Sequence, residues 1–190
     1  KRGFIGNYLY RYLKKFFHLK RISFKDFKKF ENKLNNFNFI INSSINKNYI
    51  LRKYNEKFDN DYKISKFIDN QKTIYCFIST RKVYPSKANL KEKSKLSPKS
   101  HYSKNKLITE GKISKKLKKN FLILRVSNII GDTEISKRIH HTFIDVFQKN
   151  INNGIVFDNE RVFKDFFRKS IAFVYTRPSW FSQFCTLKCT

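Results

Sequence analysis

The hydrophobic and polar positions along the chain predict strands that alternate with helices. Short runs of β-branched, aromatic and other apolar residues, each about the length of a buried strand, occur at 39–42 (FIIN), 73–79 (TIYCFIS) and 121–126 (FLILRV). Helical spacing of apolar residues is found around these runs, at 7–17, 50–69, 100–119 and 141–150. This alternation indicates an α/β fold built on a doubly wound parallel sheet.

The first predicted helix carries an apolar stripe. Within 7–17, apolar residues spaced three and four apart fall on one side of the helix. These residues are Tyr8, Leu9, Tyr12, Leu13 and Phe16. A stripe of this kind is typical of a helix that packs on one face.

Length and composition fit one globular domain. The chain has 190 residues, of which 40% are hydrophobic and 17% aromatic, too apolar a composition for a disordered tail. No apolar run approaches the roughly 20 residues that a membrane-spanning helix needs. The cysteines, Cys76, Cys185 and Cys189, are too few and too unevenly spaced for a disulfide framework or a structural zinc site. We therefore expect a cytoplasmic protein without a bound metal.

The charge of the chain is strongly positive. Lys and Arg number 42 against 14 Asp and Glu, a formal net charge of +28, which favours anionic ligands. The lysines are nevertheless spread over nearly the whole chain, together with many Asn, Ile, Phe and Tyr residues, as a strongly AT-rich coding sequence would produce. A basic nucleic-acid-binding protein without catalytic activity stays open as an alternative. It is disfavoured because no basic stripe interleaved with aromatics carries a module signature.

The two ends of the sequence suggest a piece of a longer protein. The chain contains no Met and begins directly on a glycine motif. From 171 to 190 the Lys and Asn bias disappears, while Trp180, Cys185 and Cys189 appear. We therefore expect one domain over 1–170, followed by an atypical tail over 171–190 that is not native to the fold.

The glycine motif is Gly3-Phe4-Ile5-Gly6, and it directly precedes the first predicted helix. Glycines at such a place let backbone N–H groups approach a phosphate at the helix N-terminus and let the helix pack closely on a strand. The motif predicts the second half of a dinucleotide-binding loop.

A second motif pairs Tyr102 with Lys106, one turn apart on the predicted helix 100–119. The spacing alone is uninformative, because it recurs in Tyr10/Lys14, Tyr49/Lys53 and Tyr62/Lys66. Its context is more specific, since a buried strand ending in Ser79 and Thr80 precedes this pair and a strand followed by Asn128 and Gly131 comes after it.

The ordered set of these segments resembles a known family. GFIG, ISTRKVY, Glu92, Pro98, YSKNK and LRVSNIIG resemble, in this order, the extended short-chain dehydrogenase/reductases, also called the NAD-dependent epimerase/dehydratase family. The resemblance covers residues 3–168. The resemblance implies a Rossmann-type domain over 1–170 that lacks its first strand and most of the C-terminal substrate domain. Full-length relatives of this kind are expected to be homodimers, and whether so short a piece is active is left open.

The resemblance also assigns roles to individual residues. Tyr102 would be the catalytic acid/base, and Lys106 would lower the phenol's pKa and hold the nicotinamide ribose of NAD or NADP. Thr80 would hydrogen-bond the reacting oxygen of a nucleotide-sugar substrate. The remaining residues implied to touch the cofactor are Gly3, Phe4, Ile5, Gly6, Ser43 and Ser44, and those implied to touch the substrate are Asn128 and Lys164.

Departures from the family pattern narrow the reaction. Arg81 and Lys82 stand where sugar-nucleotide dehydratases of the family place an acidic pair, so dehydration is disfavoured. An isomerase (an epimerase) and an oxidoreductase (a keto-sugar reductase) both stay open. The segment 18–23 is basic where an acidic residue usually marks NAD preference, so NADP stays open beside NAD.

Overall fold

The computed structural model describes residues 3–69, 72–86, 89–127 and 174–176. Within these ranges one sheet holds the strands β1 (Phe39–Asn42), β2 (Ile74–Thr80), β3 (Phe121–Val126) and β4 (Val174–Thr176), in that spatial order. β1, β2 and β3 are parallel, whereas β4 runs antiparallel to β3. The α/β class and the parallel Rossmann-type sheet predicted from the sequence are confirmed.

The helices are α1 (Phe4–Leu13), α2 (Lys47–Leu51), α3 (Asn60–Ser65) and α4 (His101–Leu117). Short 3₁₀ segments lie at Phe24–Lys29, Glu31–Asn36, Glu56–Phe58 and Arg81–Val83. None of the helices in the described part of the chain is long and apolar enough to cross a membrane.

The boundaries of most elements agree with the sequence pattern. The predicted strands 39–42 and 121–126 are exact, and β2 is displaced by one residue from 73–79. α4 begins at its predicted place because Ser100 caps it: the Ser100 hydroxyl accepts from the Ser103 backbone N–H, and the Ser103 hydroxyl reaches back to the Ser100 backbone. The predicted helix 141–150 lies outside the described residues.

The single helix predicted over 50–69 is wrong. α2 ends at Leu51, Arg52 is extended, and a 3₁₀ turn at Glu56–Phe58 precedes α3. The cause is local capping, since the side chains of Asn55 and Asp59 accept hydrogen bonds from backbone N–H groups two and three residues further on. Each cap starts a new turn and so interrupts the helix.

The stripe predicted for the first helix is only partly correct. The half-buried side of α1 is formed by Ile5, Leu9 and Leu13, which recur at every fourth position. Tyr12 and Phe16 are 59% and 63% exposed, and Phe16 follows the end of the helix. Tyr8, also in the predicted stripe, is 39% exposed, so of the five predicted residues only Leu9 and Leu13 belong to the half-buried side.

The hydrophobic core lies where α3 and α4 pack on the parallel strands. Its fully buried members are Leu34, Ile64, Ile68, Tyr75, Phe77, Ile113, Leu117 and Ile123. An aromatic layer of Phe24, Phe27 and Phe67 packs against this cluster, with the rings of Phe27 and Phe67 edge to face at 5.5 Å. The core therefore fixes α4 over β2, which positions the residues described below.

Replacement of Ile113 by Ala tests this core. Ile113 is fully buried on α4, so Ile113→Ala should lower the free energy of unfolding by about 3 kcal/mol through lost burial and the cavity left behind. Urea denaturation monitored by circular dichroism measures the change. The matched control is Ile108→Ala on the same helix: Ile108 is 42% exposed, and its loss should stay below about 1 kcal/mol. Equal losses would contradict the packing.

Candidate functional site

The candidate site lies at the carboxyl ends of the parallel strands. Thr80 and Val126 are the last residues of β2 and β3 and are paired in register, and β1 ends at Asn42 along the same edge of the sheet. In open α/β sheets this edge is where ligands bind. The N-terminal half of α4 brings Tyr102 and Lys106 to it.

Thr80 and Tyr102 are brought together although they come from different elements. Their side chains lie close to each other, and the Thr80 hydroxyl lowers the pKa of the phenol. The Thr80 hydroxyl also accepts from the Lys82 backbone N–H at 3.3 Å, because Thr80 caps the 3₁₀ turn that follows β2. A buried hydroxyl and a half-buried phenol therefore lie side by side at the end of β2.

Lys106 lies one turn further along α4 and is 4% exposed. Its ammonium group donates to the Ile78 carbonyl at 2.7 Å and lies 3.7 Å from a carboxylate oxygen of Asp61. The same nitrogen is 4.4 Å from the centroid of the Phe77 ring and 6.0 Å from that of Tyr102. Lys106 is thus held by a carbonyl, a carboxylate and aromatic faces within the fold.

The expectation that Lys106 lowers the pKa of Tyr102 is wrong for this structure. Burial, and next the negative charge of Asp61, raise the pKa of Tyr102 to about 12, against the smaller opposing effect of the nearby Thr80 hydroxyl. Asp61 is closer to the ammonium than the phenol ring is, so it neutralises the field that Lys106 would exert on the phenol. Burial also lowers the pKa of Lys106 itself.

Asp61 is a site residue that the sequence did not reveal. Its carboxylate is buried, and one oxygen accepts from the Asn42 amide and from the Tyr75 hydroxyl, both at 2.8 Å. Burial raises the pKa of Asp61, while Lys106 and these hydrogen bonds act against the rise. In the helix predicted over 50–69, Asp61 stands among polar residues, where a carboxylate is usually solvated.

The glycine motif lies at the same edge of the sheet. Gly3 is the N-cap of α1 and supplies no side-chain cap, and the first turn of α1 carries no acidic residue. A Cβ on Gly6 would lie 2.6 Å from the Ser43 hydroxyl oxygen, just beyond β1, so any larger residue at position 6 would force the Ser43 side chain to move. A Cβ on Gly3 would meet no atom of the described residues within 4 Å.

The two serines after β1 differ in their surroundings. The Ser44 hydroxyl donates to the Asn42 side-chain oxygen at 2.7 Å and accepts from the Asn60 amide at 3.1 Å. Ser43 faces Gly6. Of the other residues assigned from the family resemblance, Ile5 is half-buried on α1 and Phe4 begins that helix, and Asn128 and Lys164 lie outside the described residues.

A second buried ion pair supports the end of β2 from the other side. Glu110 on α4 receives two hydrogen bonds from Arg125 of β3, at 3.0 and 2.6 Å, and a third from the Ser79 hydroxyl. Arg125 also donates to the Tyr84 hydroxyl, which in turn donates to the Glu92 carbonyl at 2.9 Å. The network ties β2, β3, α4 and the loop after β2 into one support for Thr80.

Comparison with known proteins identifies the fold. No protein-family model matches the chain, and no curated protein matches it. A crystal structure of dTDP-4-dehydrorhamnose reductase from Yersinia enterocolitica is similar to it, with a TM-score of 0.59 and 18% sequence identity. The similarity covers 80% of this chain and 57% of the reductase, so the chain spans somewhat more than half the length of that enzyme. The Rossmann-type fold is therefore shared with this reductase.

Replacement of Glu110 by Gln tests the support of the site. The change keeps the size of the side chain but leaves the Arg125 guanidinium buried without its anion, so the free energy of unfolding should fall by about 3 kcal/mol. The control Asp69→Asn removes an exposed ion pair with Lys116 and should change it by less than about 1 kcal/mol. Thermal and urea unfolding measure both changes, and a neutral Glu110→Gln would refute the supporting role.

Proposed function

We propose that this chain carries an NAD(P)-dependent hydride-transfer site that acts on a sugar attached to a nucleotide, with reduction of a keto-sugar as the reaction. The proposal is carried by one observation: Thr80, Tyr102 and Lys106 meet at the carboxyl end of β2. Epimerisation, which uses the same residue types, is the alternative reaction at this site.

The residues at the site fit a dinucleotide. The backbone N–H groups in the first turn of α1 carry the positive end of the helix dipole, and neither a side-chain cap at Gly3 nor an acidic side chain competes for them. The space beside Gly3 is open among the described residues, so a pyrophosphate could come close to the backbone there. When bound, the nicotinamide would supply or accept the hydride.

The protonation of the site favours reduction over epimerisation. With a pKa of about 12, the Tyr102 phenol stays protonated at neutral pH. A protonated phenol can donate its proton to the oxygen of a carbonyl group as that carbon is reduced. An epimerase must first remove a proton from a hydroxyl group, for which a phenolate is needed. Thr80 would hydrogen-bond the same reacting oxygen.

Two further observations support the proposed substrate class and the use of NADP beside NAD. The structurally similar enzyme is a reductase of a keto-sugar carried on dTDP, which supports the same substrate class here. Arg21 lies against α1, where it donates to the Asn7 side chain at 2.9 Å and stacks on the Tyr10 ring at 4.5 Å. Its cation is exposed near the proposed dinucleotide site, which supports NADP beside NAD.

Replacement of Tyr102 by Phe tests the acid. The change removes the proton donor but keeps the ring, so NADPH-dependent reduction of a nucleotide-linked keto-sugar should fall by about 10²- to 10⁴-fold. NADPH affinity, measured by the fluorescence of the bound nicotinamide, should change less than threefold. The matched control is Tyr62→Phe, a Tyr with the same spacing to a Lys, which should keep both properties.

The same experiment separates the proposal from its alternatives. A chain that binds neither NADH nor NADPH would contradict the proposed function. Salt-sensitive binding of single-stranded RNA that persists in Tyr102→Phe would support the basic binding protein instead. Interconversion of two sugar epimers without net oxidation of NADPH would favour the epimerase.

Replacement of Gly3 by Ser tests the dinucleotide position. Serine is a favourable N-cap whose hydroxyl accepts from the first-turn N–H groups, so Gly3→Ser should leave α1 equally or slightly more stable. The same side chain competes with a pyrophosphate for those N–H groups and fills the space beside them, so NADPH affinity should fall at least tenfold. Gly111→Ala on α4, where a Cβ meets nothing within 4 Å, is the control and should leave affinity unchanged. Unchanged affinity in Gly3→Ser would exclude this position.

A further inference from the structure

The ion pair between Asp61 and Lys106 is unusual for its burial. The two side chains are 7% and 5% exposed, and they come from α3 and α4. Removing a carboxylate and an ammonium from water costs several kcal/mol each, and their attraction repays this only with good additional hydrogen bonds. A neutral pair of residues would fill this space at lower cost, so the charges need another explanation.

The groups in contact with the Asp61 carboxylate favour its ionised form, against the effect of burial. One oxygen takes the hydrogen bonds from Asn42 and Tyr75, and the other faces the Lys106 ammonium at 3.7 Å. Asn42 is itself fixed, because its side-chain oxygen accepts from the backbone N–H and the hydroxyl of Ser44. Three elements, β1, β2 and α4, therefore direct donors at one carboxylate.

The groups that face Lys106 come from every element packed around it. β2 provides the Ile78 carbonyl and the Phe77 ring, α2 provides the Tyr49 ring at 5.7 Å, and α4 provides Tyr102. Glu110 on α4 and Asp59 before α3 contribute further negative charge at longer range. Among the carboxylates of the described ranges, the one within 4 Å of the ammonium is that of Asp61.

We propose that Asp61 is a positioning residue of this site, which holds the Lys106 ammonium group in place through the buried ion pair and thereby governs how that cation acts on Tyr102. The inference rests on the proposed function for its catalytic meaning. The ion pair itself is a property of the chain that can be measured without any substrate.

Asp61 shifts the protonation of Lys106 and of Tyr102 in the same direction. Its negative charge raises the pKa of Lys106 and the pKa of Tyr102, so both groups keep their protons to higher pH. Reduction of a carbonyl group requires the protonated phenol and benefits from the ammonium. Asp61 thus extends the reducing state of the site toward alkaline pH, and its removal should move the alkaline limit of activity to lower pH.

The test is a pH titration of Lys106 in the full chain. With ¹³C-labelled lysine, the Cε resonance of Lys106 is identified by its disappearance in Lys106→Met. In Asp61→Asn its titration midpoint should fall by about one pH unit or more, because a buried cation loses its anion. Asp69→Asn, which breaks the exposed pair with Lys116, should leave the midpoint unchanged. An unchanged midpoint in Asp61→Asn overturns the proposal.

A double-mutant cycle keeps the test decisive if Asp61→Asn folds poorly. Asp61→Asn combined with Lys106→Met leaves no unpaired charge, so its melting temperature should fall by less than the sum of the two single changes. Additive changes in melting temperature overturn the proposal.

The outcomes also distinguish this inference from the proposed function. In a protein that binds NADPH, the alkaline limit of keto-sugar reduction should shift to lower pH in Asp61→Asn, whereas a purely structural loss would lower activity equally at all pH values. Absence of NADPH binding removes the proposed function but leaves the Lys106 titration as a measurement of the ion pair. An unmoved Lys106 midpoint with NADPH binding intact overturns the role of Asp61 alone.

Discussion

The site depends on the burial of one positive charge. The Lys106 ammonium lies inside the protein beside the end of β2, where it cannot be hydrated and must find its partners within the fold. The Ile78 carbonyl and the Asp61 carboxylate meet this requirement. Because these partners belong to β2 and α3, satisfying a single cation fixes the relative positions of three elements.

Arg125 is a second buried cation, and it likewise finds its partner within the fold, on the β3 side of β2. Arg125 reaches from β3 to Glu110 on α4 with two parallel hydrogen bonds, the geometry in which a guanidinium binds a carboxylate best. α4 therefore carries a buried cation, Lys106, that pairs with α3, and a buried anion, Glu110, that pairs with β3. These two ion pairs join α4 to the elements on both sides of β2. They thereby place Tyr102, near the start of α4, beside Thr80.

Local patterns in the sequence predicted the elements, but not the long-range electrostatics. The bounds of β1 and β3 were predicted exactly because runs of β-branched, aromatic and other apolar residues can be recognised without a distant partner. The prediction of one helix over 50–69 was wrong because the side chains of Asn55 and Asp59 cap new turns. Single polar side chains therefore decide where this segment is interrupted. The prediction that Lys106 lowers the pKa of Tyr102 was wrong because Asp61 also acts on the phenol. Asp61 is far from Tyr102 in the sequence, and the spacing of residues along one helix does not reveal a carboxylate that the fold brings close to it.

The difference in burial distinguishes the Tyr102/Lys106 pair from the other Tyr/Lys pairs with the same spacing. Lys66 shares its spacing with Lys106, yet it is 46% exposed and pairs with the exposed Glu56, so its charge is largely screened by water. Lys106 acts in a medium of low polarity, where a charge a few ångströms away shifts protonation strongly. Family resemblance pointed to Tyr102 and Lys106 by their order along the chain. The structure adds Asp61, whose carboxylate lies 3.7 Å from the ammonium and raises the pKa of both Lys106 and Tyr102.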